Sequence, residues 1–168
     1  MQRELQQKIM GYYIEETKNN LSTIEQLLLN FHNRFDECRI IEDLVCASNS
    51  LTTGSAMLGI DSISRTSCFL KSCFQVLQLE GSIKIDQKLK DLFMQVFCAL
   101  KELVEHLGNS SELGNLRDDI VMSEIEPVMG DLKNHLDLLI KRSHDDNNSF
   151  DDELISLFDD FLLENSAS

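Results

Sequence analysis

KIDQKLKDLFMQVFCALKELVEHLG, residues 84–108, carries Leu89, Leu92, Phe93, Val96, Phe97, Leu100, Leu103, Val104 and Leu107 at steps of three and four. That spacing lays the apolar side chains along one side of a 3.6-residue helix, whereas a strand would alternate them with polar ones. Asp86 stands where a side-chain N-cap is wanted, and Gly108 closes the run. One amphipathic helix of about five turns is the consequence.

The same spacing recurs on both sides of it. Upstream, Met10, Tyr13, Ile14, Thr17, Leu21, Ile24, Leu27, Leu28 and Phe31 predict a long first helix ending near His32 to Phe35. Ile40, Ile41, Leu44, Val45, Ser48, Leu51, Ser55 and Leu58 predict a second, stopping at Gly59. Ile63, Thr66, Leu70, Cys73, Phe74 and Leu77 predict a third, with Asp61 as its N-cap and Gly81 in the left-handed position after its end. Downstream, NSSELGNLR (109–117) reads as a polar connection. Ile120, Val121, Ile125, Val128, Met129, Leu132, Leu136, Leu139 and Ile140 then predict a fifth helix, which Pro127 should kink or restart. HDDNNSFDD is a linker by composition. In the final FDDELISLFDDFLLENSAS, Phe150, Leu154, Leu157, Phe158, Phe161 and Leu162 share one side and acids the other. That segment reads either as a short helix that repacks on the bundle or as an acidic partner-binding tail.

With one proline and seven glycines in 168 residues, strands and tight turns have little to build on. The fold class expected is all-α: an antiparallel up-down four-helix bundle with a fifth C-terminal helix and an acidic tail. Residues 1–108 would form the bundle, 109–142 an additional helix packed on it, and 143–168 an acidic linker and short amphipathic tail.

Charge narrows the partners. Twenty-nine acidic against fifteen basic side chains give a net charge of −14, so phosphate backbones and anionic lipid headgroups are repelled. Eight of the acids lie between Ser143 and the C-terminus, with no basic side chain among them. Trp is absent, which removes the usual stacking platform for single-stranded nucleic acid. Neither a membrane span of roughly 20 apolar residues nor a signal-peptide pattern is present, and a cytoplasmic protein without nucleic-acid or membrane partners is expected. Cys38, Cys46, Cys68, Cys73 and Cys98 form no CxxC pair and are odd in number, which points to reduced thiols packed as small hydrophobes. His32, His106, His135 and His144 show no HExxH or other ligand spacing, so solvated or capping roles are expected and no metal or cofactor is implied. Neither a phosphate-cradling glycine loop nor a nucleophile elbow appears, and the acidic pairs Asp118/Asp119, Asp151/Asp152 and Asp159/Asp160 read as solvated faces.

One stretch breaks its own helix pattern. In ASNSLTTGSAMLGI, residues 47–60, Asn49 lies about 140° from Leu44 and about 160° from Leu51, on the side away from the core stripe. Its neighbours three and four residues away are Val45, Cys46, Thr52 and Thr53. A solvated face without a task would carry Lys, Glu or Gln, which favour helix more than Asn and Thr do. Gly54 and Ser55 fall on the core side, where close helix packing accounts for them.

On these residues the chain resembles a family, the histidine phosphotransfer (HPt) domains of chemotaxis-type and hybrid histidine kinases, in particular a cyanobacterial subgroup. CASNSLTTGSAMLG followed by SISRTSCFLKS is similar to that family's AAHSIKGGAAMLG followed by SIQRTAHRLED. IMGYYIEETKNNLSTIEQLLLN, KIDQKLKDLFMQVFCALKELVEHL and EIEPVMGDLKNHL extend the likeness over about 130 residues. Aligned on Gly54, Met57, Leu58 and Gly59, the family's phosphoaccepting histidine falls on Asn49, its lysine on Thr52 and its close-approach glycine on Thr53. The resemblance thus implies a bundle that has lost the phosphotransfer chemistry. What it implies about function is a non-catalytic interaction module of two-component phosphorelay signalling, presenting Val45, Cys46, Asn49, Thr52, Thr53 and Ala56 to a response-regulator receiver or a histidine kinase. Two other readings stand beside it: phosphotransfer through a different histidine, and a helical scaffold unrelated to receivers.

Overall fold

The computed structural model describes residues 1–31, 37–81, 83–107, 112–147 and 159–163. They form five helices, α1 (Gln2–Leu29), α2 (Glu37–Met57), α3 (Asp61–Leu79), α4 (Gln87–His106) and α5 (Glu112–Asn147), and a short helical segment at 159–163. No strand occurs among the described residues. Each of α1–α4 packs on the helix before and after it, and α1 closes on α4, so the four enclose one core as an up-down antiparallel bundle. α5 lies outside this ring, along α4 and α3. No helix among the described residues is long and apolar enough to cross a membrane.

The apolar stripes become the core. Ile24, Leu44, Leu51, Ile63, Leu70, Phe74, Leu89, Phe93, Phe97, Leu100, Leu103 and Leu132 are fully buried. At the α3–α4 contact the rings of Phe74 and Phe93 stack with centroids 4.9 Å apart. The most extensive contact is between α2 and α3, where small side chains let the backbones approach. Three of their hydroxyls are satisfied inside their own helices: Ser55 Oγ donates to Leu51 O at 2.6 Å, Thr66 Oγ1 to Ser62 O at 2.9 Å and Ser67 Oγ to Ile63 O at 2.7 Å.

Several helix ends differ from the sequence expectation. α1 starts at Gln2, well before its buried stripe, and stops at Leu29, short of His32. The second helix ends as expected before Gly59, which takes φ +70° while Gly59 N–H and Ile60 N–H donate to Ala56 O and Ser55 O. This Schellman arrangement needs a left-handed residue, which glycine adopts without a Cβ penalty. It also carries the chain into α3 at Ile60, so Asp61 is the first helical residue with its acid in the first turn, not the N-cap. Gly81 is not left-handed. α3 ends instead through Glu80, whose N–H donates to Val76 O. Asp86 caps α4 as expected, its Oδ1 accepting from Leu89 N–H at 2.8 Å.

α5 is longer than its pattern. It already runs from Glu112 inside the stretch read as a connection, and continues to Asn147 inside the stretch read as a linker. Pro127 neither restarts nor ends it. Pro127 is exposed, so the carbonyl it leaves unbonded can be hydrated. Met122 and Ile125 before it, and Leu132 and Leu136 after it, are seated in the core, so both halves of the helix are anchored on the bundle. In the tail, Leu162 is buried against the bundle and Asp159 pairs with Lys133 of α5 at 2.9 Å, while Phe161 keeps 39% of its surface exposed. Repacking is therefore what 159–163 does. Phe150, Leu154, Leu157 and Phe158 lie outside the described residues.

Candidate functional site

The broken face of α2 is held from both sides. Beneath Gly54, on the α1 side, lies Tyr13: a Cβ built at Gly54 would come within 2.9 Å of the ring's Cε2. The glycine therefore fixes how closely α1 approaches α2. Burial pushes the Tyr13 phenol above its ordinary pKa, against the opposing influence of the Thr17 and Ser55 hydroxyls near it. On the α3 side, Thr52 Oγ1 lies 2.9 Å from Ser48 O and 3.1 Å from Ser67 Oγ, so the threonine turns toward α3. Ser48 itself is fully buried, its Oγ without a hydrogen-bond partner.

Between these two anchors lies the outward strip. Cys46, Asn49, Thr53 and Ala56 are exposed, whereas Val45 and Thr52 are half-buried. The six residues grouped from the sequence thus divide into four outward side chains and two at the margins. Thr52 is turned inward because its hydroxyl finds one partner on its own helix, Ser48 O, and one across the interface, Ser67 Oγ. Ser50 and Met57 extend the outward surface, the latter as one of the most exposed large apolar side chains of the chain. From Cys46 to Met57 this strip carries no charged side chain, and the exposed Glu42, one turn before Cys46 on the same face, borders it. An asparagine amide has its nitrogen lone pair delocalised into the carbonyl, so Asn49 offers hydrogen bonds and no nucleophile for phosphorus.

The histidines lie elsewhere, and their roles were not visible in the sequence. His135, expected to be solvated or capping, is buried, with Nε2 2.9 Å from both carboxylate oxygens of Asp86. His144 Nε2 lies 2.9 Å from Glu80 Oε2, and His106 Nδ1 lies 3.1 Å from Asp118 Oδ1. Each of these three pairs ties α5 to α3, to α4 or to the residue capping α4. Asp118 is accordingly a partner and not a solvated acid. The pairs span 49, 64 and 12 residues, and only Asp86 carried any local signal, as a cap. His32 lies outside the described residues.

The thiols also divide. Cys73 is fully buried and Cys68 half-buried, but Cys38, Cys46 and Cys98 are exposed, so packing as small hydrophobes describes Cys73 best. Cys98 borders a shallow groove of about 390 Å³ between α4 and α5, floored by Ala99, Val121 and Ile125 and edged by Glu102 and Glu124. No group of three or more His, Cys, Asp or Glu side chains that could hold a metal occurs among the described residues. Comparison with protein-family models, with curated proteins and with solved structures finds no match for the chain.

Proposed function

We propose that the chain is a non-catalytic, HPt-like interaction module of two-component phosphorelay signalling. It binds a response-regulator receiver domain or a histidine kinase through α2 and accepts no phosphate. One observation carries the proposal: an exposed, uncharged strip of Cys46, Asn49, Thr53 and Ala56 on a helix whose other sides are locked by Tyr13 over Gly54 and by Thr52 against Ser67. Such a face is anchored on both sides and, being uncharged, cheap to desolvate, which suits docking of another protein. It lacks what phosphoryl transfer requires. The attacking group must be a ring nitrogen with a free lone pair, and a cation must neutralise the phosphoryl oxygens as charge builds. Asn49 and Thr52 supply neither.

Transfer through a different histidine is less well supported. His106, His135 and His144 are each held by a carboxylate across a helix contact, so each ring already serves in docking α5.

Binding to a panel of receiver and kinase domains tests the proposal, using the full chain and its Asn49→Arg and Thr53→Arg variants. Both substitutions sit on exposed positions, so the bundle should remain folded while affinity falls at least tenfold. Binding that survives both would place the contact on another face. Incubation with a phosphorylated receiver should leave no acid-labile phosphate on the chain, and label on any histidine would overturn the non-catalytic assignment.

A further inference from the structure

The first three turns of α1 bear no load in the bundle. Residues 1–12 are exposed apart from the half-buried Met10, and Tyr13 is the first buried side chain. These turns extend about 18 Å along the helix axis. Yet they carry a clean apolar stripe: Met1, Leu5, Ile9 and Tyr12 fall within an arc of about 80° at a helical advance of 100° per residue, and all four are exposed. The stripe does not continue the core face. Tyr13, Thr17, Leu21, Ile24 and Leu28 point about 120° away from it. The bundle therefore lies on a different side of α1, and among the described residues nothing covers the stripe.

Charge specifies what does. Lys8 and Glu4 both flank the stripe on the same side, with glutamines on the other. When two helices pack antiparallel about a two-fold axis, like flanks face each other; when they pack parallel, opposite flanks do. The antiparallel arrangement sets Leu5 against Ile9 of the second copy and brings Glu4 of each copy opposite Lys8 of the other. A parallel pairing would set both charges against uncharged glutamine. The stripe is thus self-complementary under one symmetry and not under the other. Residues 1–12 also contain two basic side chains against one acidic, in a chain of net charge −14, so two copies can approach here against the least mutual repulsion.

We propose that this stripe joins two copies of the chain through an antiparallel α1–α1 contact, centred on Leu5 and Ile9 and flanked by the Glu4–Lys8 pairs. Two helices paired over so short a length bury less than the ~1,200 Å² at which stable interfaces begin, so the dimer is concentration-dependent and rapidly exchanging. It would present two α2 faces on one particle, which could engage a dimeric partner bivalently.

Sedimentation equilibrium of the full chain, from low micromolar to millimolar concentration at physiological salt, tests this. The expected result is a reversible monomer–dimer equilibrium. Replacing Leu5 and Ile9 together by glutamate should weaken it about 100-fold, with the thermal unfolding midpoint unchanged because both positions are exposed. Lys8→Glu alone, which sets a carboxylate against Glu4 twice per dimer, should weaken it about tenfold. The combined Glu4→Lys and Lys8→Glu exchange should restore it. A chain that stays monomeric throughout, or a dimer indifferent to the Leu5 and Ile9 changes, would overturn the proposal. A double exchange no tighter than Lys8→Glu alone would overturn the antiparallel pairing.

Discussion

At Gly54 the sign of a single substitution is set by one neighbour. Alanine is the better helix former, by about 1 kcal/mol in an open helix position. At Gly54, however, its Cβ would meet the buried Tyr13 ring at 2.9 Å, and relieving that contact costs about 1–3 kcal/mol. Gly54→Ala is therefore expected to destabilise the protein by about 1 kcal/mol net. Gly130 offers the control, since a Cβ added there meets nothing within 4 Å. Gly130→Ala should stabilise by about 0.5–1 kcal/mol. Urea titration of the two variants beside the parent measures both, and a Gly54→Ala protein at least as stable as the parent would mean that the ring moves freely. The glycine could be assigned to close packing from its angular position alone, but the identity of Tyr13 as the group above it could not. Thr52 teaches the converse. Its angle placed it on the outward strip, and a hydrogen bond to a residue fifteen positions away turned it inward.

Between elements, the docking of α5 rests on polar contacts as much as on its apolar stripe. Asp86 does two jobs there, capping α4 through Leu89 N–H and accepting from buried His135 on α5. Asp86→Ala should remove a cap worth about 1 kcal/mol and strand a buried imidazole at a further cost of about 1–3 kcal/mol. The pH dependence has a definite sign. Burial works to raise the Asp86 pKa, but the hydrogen bonds from His135 and Leu89 N–H and the charges of His135 and Arg142 together hold the carboxyl below its ordinary range. A carboxyl depressed on folding contributes its full stability above the unfolded value of about 3.9 and loses it as pH falls through the folded one. Stability of the parent should therefore decline below about pH 4 more steeply than that of Asp86→Asn. Equal slopes in acid titrations followed by circular dichroism would show that the pair contributes nothing. α5 itself was only partly legible: its apolar repeat gave the middle of the helix, whereas its polar ends and its continuation through Pro127 depended on the bundle it packs against.

For the molecule as a whole, Cys73 reports on cooperativity. Burial, reinforced by the negative charge of Asp137, pushes its thiol far above the ordinary thiol range, whereas Cys38, Cys46 and Cys98 are exposed. Under native conditions a thiol reagent should modify these three rapidly and reach Cys73 only at the rate of global opening. Reaction of Cys73 as fast as the exposed thiols would reveal that α3 and α5 separate locally while the rest stays folded. The helices, their apolar faces, the Asp86 cap, the Gly59 stop and the outward placing of Asn49 are all legible in the order of the amino acids. Each of these depends on residues within a turn or two of one another, where 100° per residue converts order into geometry. Packing alone settles that Thr52 belongs to the α2–α3 contact, that three histidine–carboxylate pairs clasp α5, that Pro127 lies within one continuous helix and that the apolar stripe at the start of α1 is exposed. Those outcomes depend on which faces meet across tens of residues of chain, and no local period encodes that choice.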